Sequence, residues 1–344
     1  MSSAKYAFIS AYLKGEEARV INSEHIDKIS RMSNIQDALP AIRDTDIGSY
    51  LEELPVRTFD YLDECLWSYL AQRIRYVESF KLLPKDVLNL SRAYIVKYDV
   101  SNIKAALQGI STGKKASMIP VGIIYNNALL DELSSAKNVD DIIQLLIKCK
   151  LGDYVPALEQ YKMDEGVKSK LLAQTMLDGE YYKNMLNMAR GIKDGSVLPQ
   201  AFGLIIDLAN LQITLRATIE GIGPDAAEFI IAGGYRMTDK AIKELLSLKM
   251  ADMPARMENT QYRDIVNEVS TSYDKTKNIT AVDEIIDKHK FRMLKELLSP
   301  RVLSPFVMAW YLILKEVEVR NLRLVLKTIV DGVPVQEIKD FLVL

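Results

Sequence analysis

Apolar residues recur along this chain with the period of an α-helix, and the strict alternation of a half-buried strand is scarce. The pattern is sharpest in three places. Counting from Asp99, apolar side chains fall one, four, eight and eleven positions later, at Val100, Ile103, Leu107 and Ile110. Counting from Asp207 they fall at Leu208, Leu211 and Leu215, with Thr218 as the exception, and from Glu318 at Val319, Leu322, Leu326 and Ile329. At about 100° per residue these positions gather into one stripe, with the acid at its margin and an asparagine three residues on just outside it. Each segment therefore predicts a helix with a dry face and a polar shoulder. The complete signature reads Asp99, Asn102, Leu107, Gly113, then Asp207, Asn210, Leu215, Gly221, then Glu318, Asn321, Leu326, Gly332, and it spans the same fourteen steps from acid to glycine in each copy. Glycine adopts the left-handed conformation that ends a helix, and Pro224 and Pro334 discourage continuation beyond two of the three.

The acids lie 108 and 111 residues apart, too far for a solenoid repeat and suitable for a small domain. Other landmarks keep step. An acid, an aromatic four residues later and an apolar residue seven later precede each signature, as Asp63/Trp67/Leu70, Asp178/Tyr182/Met185 and Asp287/Phe291/Leu294. Asn34-Ile-Gln-Asp37 and Ile47-Gly-Ser-Tyr50 return 104 residues later as Asn138-Val-Asp-Asp141 and Leu151-Gly-Asp-Tyr154, while the third copy keeps only Tyr262 and diverges around Pro254. The reading is an all-α chain of three similar helical modules, residues 1–117, 118–227 and 228–344, each with about five or six helices. Ser299-Pro300 and Ser304-Pro305 bracket a turn before a last long helix over about Phe306–Ile329. No flexible Gly/Ser linker separates the modules, so they are expected to pack as one body.

A carboxylate and an amide at i and i+3 project from adjacent turns of one helix face and can bond backbone groups of a neighbouring loop. A carboxylate out of water stays charged only if it gains such donors or a cation, and Lys104, Arg216, Arg320 and Lys327 are near in sequence. The expectation is that each pair pins its own module closed. Three metal sites are disfavoured, because no histidine or cysteine accompanies the acids and too few oxygen donors are specified. One position after the signature leucine stand Gln108, Arg216 and Lys327, so a cation there is not required by every module.

Composition narrows the function. The 344 residues are 49% hydrophobic, and 44 Lys and Arg nearly balance 46 Asp and Glu, leaving a formal charge of −2 and no general basic field for nucleic acid. The longest apolar run of interest, Phe306–Leu314, is shorter than the roughly 20 residues of a spanning helix. Residues 1–19 lack the apolar block of a leader, so a cytoplasmic location is the default expectation. Cys65 and Cys149 read as buried free thiols. His25 and His289, the only histidines, belong to no ligand pair or nucleophile triad and read as surface or satisfied helix residues. Gly109-Ile-Ser-Thr-Gly113-Lys114-Lys115 fails as a phosphate loop in spacing, and neither Gly221-Ile-Gly223-Pro224 nor Gly233-Gly234 makes a dinucleotide fingerprint. No catalytic, cofactor-binding or metal residue is predicted.

The stretch Trp310-Tyr-Leu-Ile-Leu-Lys315 through Lys327, with Asp331-Gly-Val-Pro334 and Glu337-Ile338, resembles the closing motif of the C subunit of archaeal-type rotary ATPases, the counterpart of the d subunit in vacuolar enzymes. The resemblance extends to Tyr98-Asp-Val-Ser-Asn102 and Asp207-Leu-Ala-Asn210, and is loose over Tyr6–Arg19. It implies a funnel-shaped, pseudo-threefold helical protein without catalysis or cofactor. Such a protein sits peripherally on the cytoplasmic face of the membrane proteolipid ring and receives the foot of the central stalk, a coiled-coil protein with its small companion. Two other readings stay open on the residues alone, a helical scaffold of another complex and an enzyme with a pocket between modules.

Overall fold

The computed structural model describes residues 4–56, 58–80, 83–163, 167–193 and 195–343, so the first three positions of the leader reading lie outside the described residues. Every regular element among them is helical: seventeen α-helices and five short 3-10 segments, with no strand. They form two compact units, one made of residues 1–91 and 294–344, the other of residues 92–293.

Local chemistry accounts for many of the helix starts. Asn34 and Asn138, noted as a recurring pair, are both N-caps: each side-chain oxygen accepts the amide three residues on, from Asp37 and Asp141, at 2.9 Å. Asp141 reaches back to the Asn138 amide and completes a capping box. Thr45, Thr58 and Thr238 cap other helices in the same way. The other recurring tetrads part company. Gly48 lies so close to the Ile42 carbonyl that a Cβ there would stand 1.8 Å from its oxygen, whereas Gly152 faces open space. Pro254 falls in the first turn of Met253–Met257, where its missing N–H costs nothing.

The three signatures lie on the long helices Lys85–Thr112, Leu198–Ile219 and Phe306–Asp331. In the first unit, Phe306–Asp331 packs between the N-terminal helix Ala4–Glu17 and the helix Phe59–Glu78. The Trp310 indole N–H donates to Glu17 and the Tyr311 hydroxyl to Glu16, which also pairs with Arg73 at 3.0 Å. In the second unit, Leu198–Ile219 packs against Val167–Gly191 and Asp239–Leu246. Leu198–Ile219 is long and apolar enough to cross a bilayer, a feature the run-length reading passed over, but most of its apolar window is buried inside the protein. Its apolar surface is used on the interior.

Candidate functional site

The signature residues take equivalent places on their helices. Leu107, Leu215 and Leu326 are completely buried. Gly113, Gly221 and Gly332 all adopt positive φ, 67°, 74° and 68°, and close their helices in the left-handed conformation.

Each asparagine grips the backbone of one residue with both ends of its amide. The Asn102 amide nitrogen donates to the Ile119 carbonyl at 2.9 Å while its oxygen accepts the Ile119 N–H at 2.7 Å. Asn210 does the same with Ile231, at 2.8 Å in both directions, and Asn321 with Val343, at 2.7 and 3.1 Å. The acid one turn earlier collects amide donors. Asp99 accepts the N–H groups of Ile123 and Ile124 at 2.7 and 2.9 Å, and Asp207 those of Arg236 and Met237 at 2.7 and 3.2 Å. Glu318 accepts the N–H of Ile21 at 3.0 Å.

Two expectations change here. The asparagines are not outside the buried stripe: Asn102, Asn210 and Asn321 are as buried as their acids, because the bonded segment lies over the polar shoulder. The first two pairs also bond chain beyond their own terminating glycine, past the seams expected near 117 and 227, instead of closing the module that carries them. Asn321 takes Val343, and Glu318 takes Ile21 from the amino-terminal segment of the same unit.

The change from aspartate to glutamate follows from distance. Asp99 and Asp207 are short and need close backbone approach, which glycine permits. A Cβ on Gly122 would lie 2.4 Å from an Asp99 carboxylate oxygen, and one on Gly234 would lie 2.2 Å from Asp207. Val20 precedes Ile21, so the third site has no glycine there, and Glu318, one methylene longer than aspartate, reaches the Ile21 amide.

The three carboxyl groups are compensated to different degrees. Burial pushes Asp99 up to about 7, opposed by its two backbone donors, and no cation or hydroxyl among the described residues bonds it. Burial also raises Asp207, opposed first by the Tyr262 hydroxyl, which donates to it at 2.5 Å. Glu318 is raised by burial and held down chiefly by Lys315, whose ammonium is fully buried and donates to Glu318 and to the Tyr69 hydroxyl at 3.0 Å each. Three of the signature's neighbouring cations pair with other acids. Lys104 pairs with Asp178, Arg216 with Asp283 and Lys327 with Asp331. Lys315 was legible only as a basic residue one turn before Glu318, a spacing that equally describes a solvated pair.

A further correspondence emerges five residues after each acid. Lys104, Gln212 and Arg323 bond Asp178, Asp283 and Asp63, acids on the helices Val167–Gly191, Thr280–Leu298 and Phe59–Glu78. The sequence landmarks put Asp287 in the third place, but Asp287 pairs with Lys290 on its own helix.

Among the described residues no group of three or more His, Cys, Asp or Glu could hold a metal ion. Both histidines are buried and satisfied: His25 accepts the Asn22 N–H and bonds Asp44, and His289 bonds Glu268 at 2.7 Å and Arg292 at 2.7 Å. Cys65 and Cys149 are buried free thiols, raised above the usual range by burial.

Comparison with known proteins finds similarity along nearly the whole chain. The profile described as ATP synthase (C/AC39) subunit matches residues 9–341. The chain is similar to the C subunit of the A-type ATP synthase of Methanocaldococcus jannaschii, 23% identical over 99% of this chain and 86% of that protein. It is likewise similar to the C subunit of the A-type ATP synthase of Thermococcus kodakarensis, 25% identical over 98% of this chain and 90% of that protein.

Proposed function

This chain belongs to the ATP synthase (C/AC39) subunit family, and from that premise we propose that it is the rotor socket of an A-type ATP synthase. It is a non-catalytic member of that complex. In the proposed role it sits on the cytoplasmic face of the membrane proteolipid ring and receives the foot of the coiled-coil central stalk and its small companion. It turns with them, so that torque passes between ion translocation and ATP synthesis or hydrolysis. We further propose that residues 1–117, 118–227 and 228–344 are three copies of one helical module.

The observation that carries this reading is the use of the acid and asparagine pair in all three places. Each pair spends a buried carboxylate and a buried amide on backbone groups beyond its helix, and no reacting group or ligand is needed to explain it. Under the proposed boundaries, the first pair ties module one to module two and the second ties module two to module three. In the third, Glu318 returns to the amino-terminal segment while Asn321 holds Val343. A part that transmits torque must resist shear, and seams closed by two-ended hydrogen bonds over close-packed leucines suit that task. A map of the purified complex tests the proposal: density for this chain belongs between ring and central stalk. A position on a peripheral stalk, or outside the rotor, would overturn it.

A further inference from the structure

A cavity of about 410 Å³ opens beside the second acid and asparagine pair, in the unit of residues 92–293. Its floor is apolar and buried, built from Met237, Leu245 and Met257, and Tyr262 walls it on the side of Asp207. Arg236 and Arg256 stand exposed at the mouth, and among the described residues no carboxylate lines the cavity. The Tyr262 hydroxyl is committed to Asp207, so it offers little to an occupant. Arg256 shares its charge with Glu244, at 2.6 Å outside the lining. Arg236 makes no ion pair among the described residues; its guanidinium lies over the Tyr235 ring, 4.6 Å from the centroid. The cavity thus joins an adaptable, methionine-rich apolar floor to an unneutralised cation at its mouth, and its volume lies in the range of small-molecule sites.

We infer that this cavity binds a freely diffusing amphipathic anion, with its apolar body on Met237, Leu245 and Met257 and its acidic head on Arg236 and Arg256. A guanidinium recognises a carboxylate or phosphate with paired, charge-assisted hydrogen bonds, while the floor excludes heads that lack an apolar body. The site is independent of the rotor reading, since it uses no partner protein.

Decanoate below its micelle-forming concentration is the probe, titrated calorimetrically into the intact protein. Decyltrimethylammonium, the same chain with a cationic head, is the control. One saturable decanoate site is expected, with the cation binding far more weakly. Arg236→Gln weakens decanoate by about tenfold, the worth of one charge-assisted contact, and Arg236→Gln with Arg256→Gln weakens it further. Only the backbone N–H of Arg236 serves Asp207, so the variant keeps its fold, and an unchanged melting midpoint checks this. The methyl resonances of Met237 and Met257 should shift with decanoate in proportion to occupancy. Equal binding of the cation, unchanged affinity in the arginine variants, or unmoved methionine methyls would each overturn the inference. Competition by phosphatidylglycerol vesicles at equal acid concentration would overturn the soluble ligand in favour of a lipid headgroup.

Discussion

Replacing Asp207 by alanine removes one acceptor that serves three donors, the amides of Arg236 and Met237 and the hydroxyl of Tyr262. The Arg236 amide is only partly buried and can find water, but the Met237 amide and the Tyr262 hydroxyl are buried and lose their partner. Each orphaned buried donor costs about 1–3 kcal/mol. Against this, the wild type pays to keep a carboxylate out of water, which is why burial raises its pKa, and the variant is relieved of that penalty. The net loss is roughly 2–4 kcal/mol, a fall of about 5–15 °C in the melting midpoint for a unit of this size. Calorimetry on the isolated protein reads the midpoint, and hydrogen exchange at Arg236 and Met237 reads the local effect. Both amides should lose protection, while Ile123 and Ile124, which bond Asp99, keep theirs. An unchanged midpoint with unchanged exchange would refute the account of the pair as a buried latch.

Asp99 supplies a pH test, because its pKa rises from the ordinary 3.8 to about 7 on folding. The folded state holds the proton more tightly, so the stability this group contributes is complete below about pH 4 and is lost as pH rises through about 7, a span worth roughly 4 kcal/mol. Asp99→Asn removes that dependence: its melting midpoint should gain on the wild type between pH 5 and pH 8, and parallel profiles would contradict the burial argument. Gly122→Ala places a Cβ against the Asp99 carboxylate at φ 123° and should cost about 2–4 kcal/mol, whereas Gly113→Ala, with open space around it, costs about 1 kcal/mol from its left-handed φ alone. Equal losses measured by urea denaturation would show that contact with Asp99 does not matter. Lys315→Met strands Glu318 in the core and should cost about 3–5 kcal/mol, and adding Glu318→Gln, which still accepts the Ile21 amide, should restore a large part of it. A double variant no more stable than the single one would remove the ion pair from the explanation.

How far the sequence could be read depended on whether the physics was local. The helices, the terminating glycines and the caps at Asn34 and Asn138 follow from residues within one or two turns, and all are visible as spacing. The signature acids and asparagines could be recognised as a repeated polar shoulder, but their partners lie 17 to 30 residues onward, or almost 300 residues back at Ile21, across loops whose path no period encodes. The same gap hid which acid of the third landmark helix meets Gln212 and Arg216. Asp287 keeps the aromatic spacing of Asp63 and Asp178, yet Asp283, one turn earlier, faces Gln212 and Arg216, because the packing angle between two helices decides which turn meets the partner. The cavity beside Tyr262 was illegible for a related reason. Its arginines and methionines come from separate short helices and turns that no sequence motif unites.

Glu318 differs from the first two signature acids in where its donors come from. In the first two, the chain continues past the glycine and offers fresh amide groups to a short aspartate, with Gly122 and Gly234 allowing the approach. After Gly332 the asparagine uses Val343. The acid takes its donor from Ile21, which follows a valine instead of a glycine. A glutamate reaches it, and a longer acid buried with a single amide lacks the paired donors that Asp99 and Asp207 enjoy. Lys315 supplies the missing compensation from the same helix. The longer acid, the absent glycine and the buried lysine therefore belong to one arrangement around the Ile21 amide. Glu318→Asp tests it directly: the shorter acid should lose the Ile21 amide, exposing it to exchange, while Asn321 and Val343 remain protected. A variant in which Ile21 stays protected would mean that reach is not what selected glutamate.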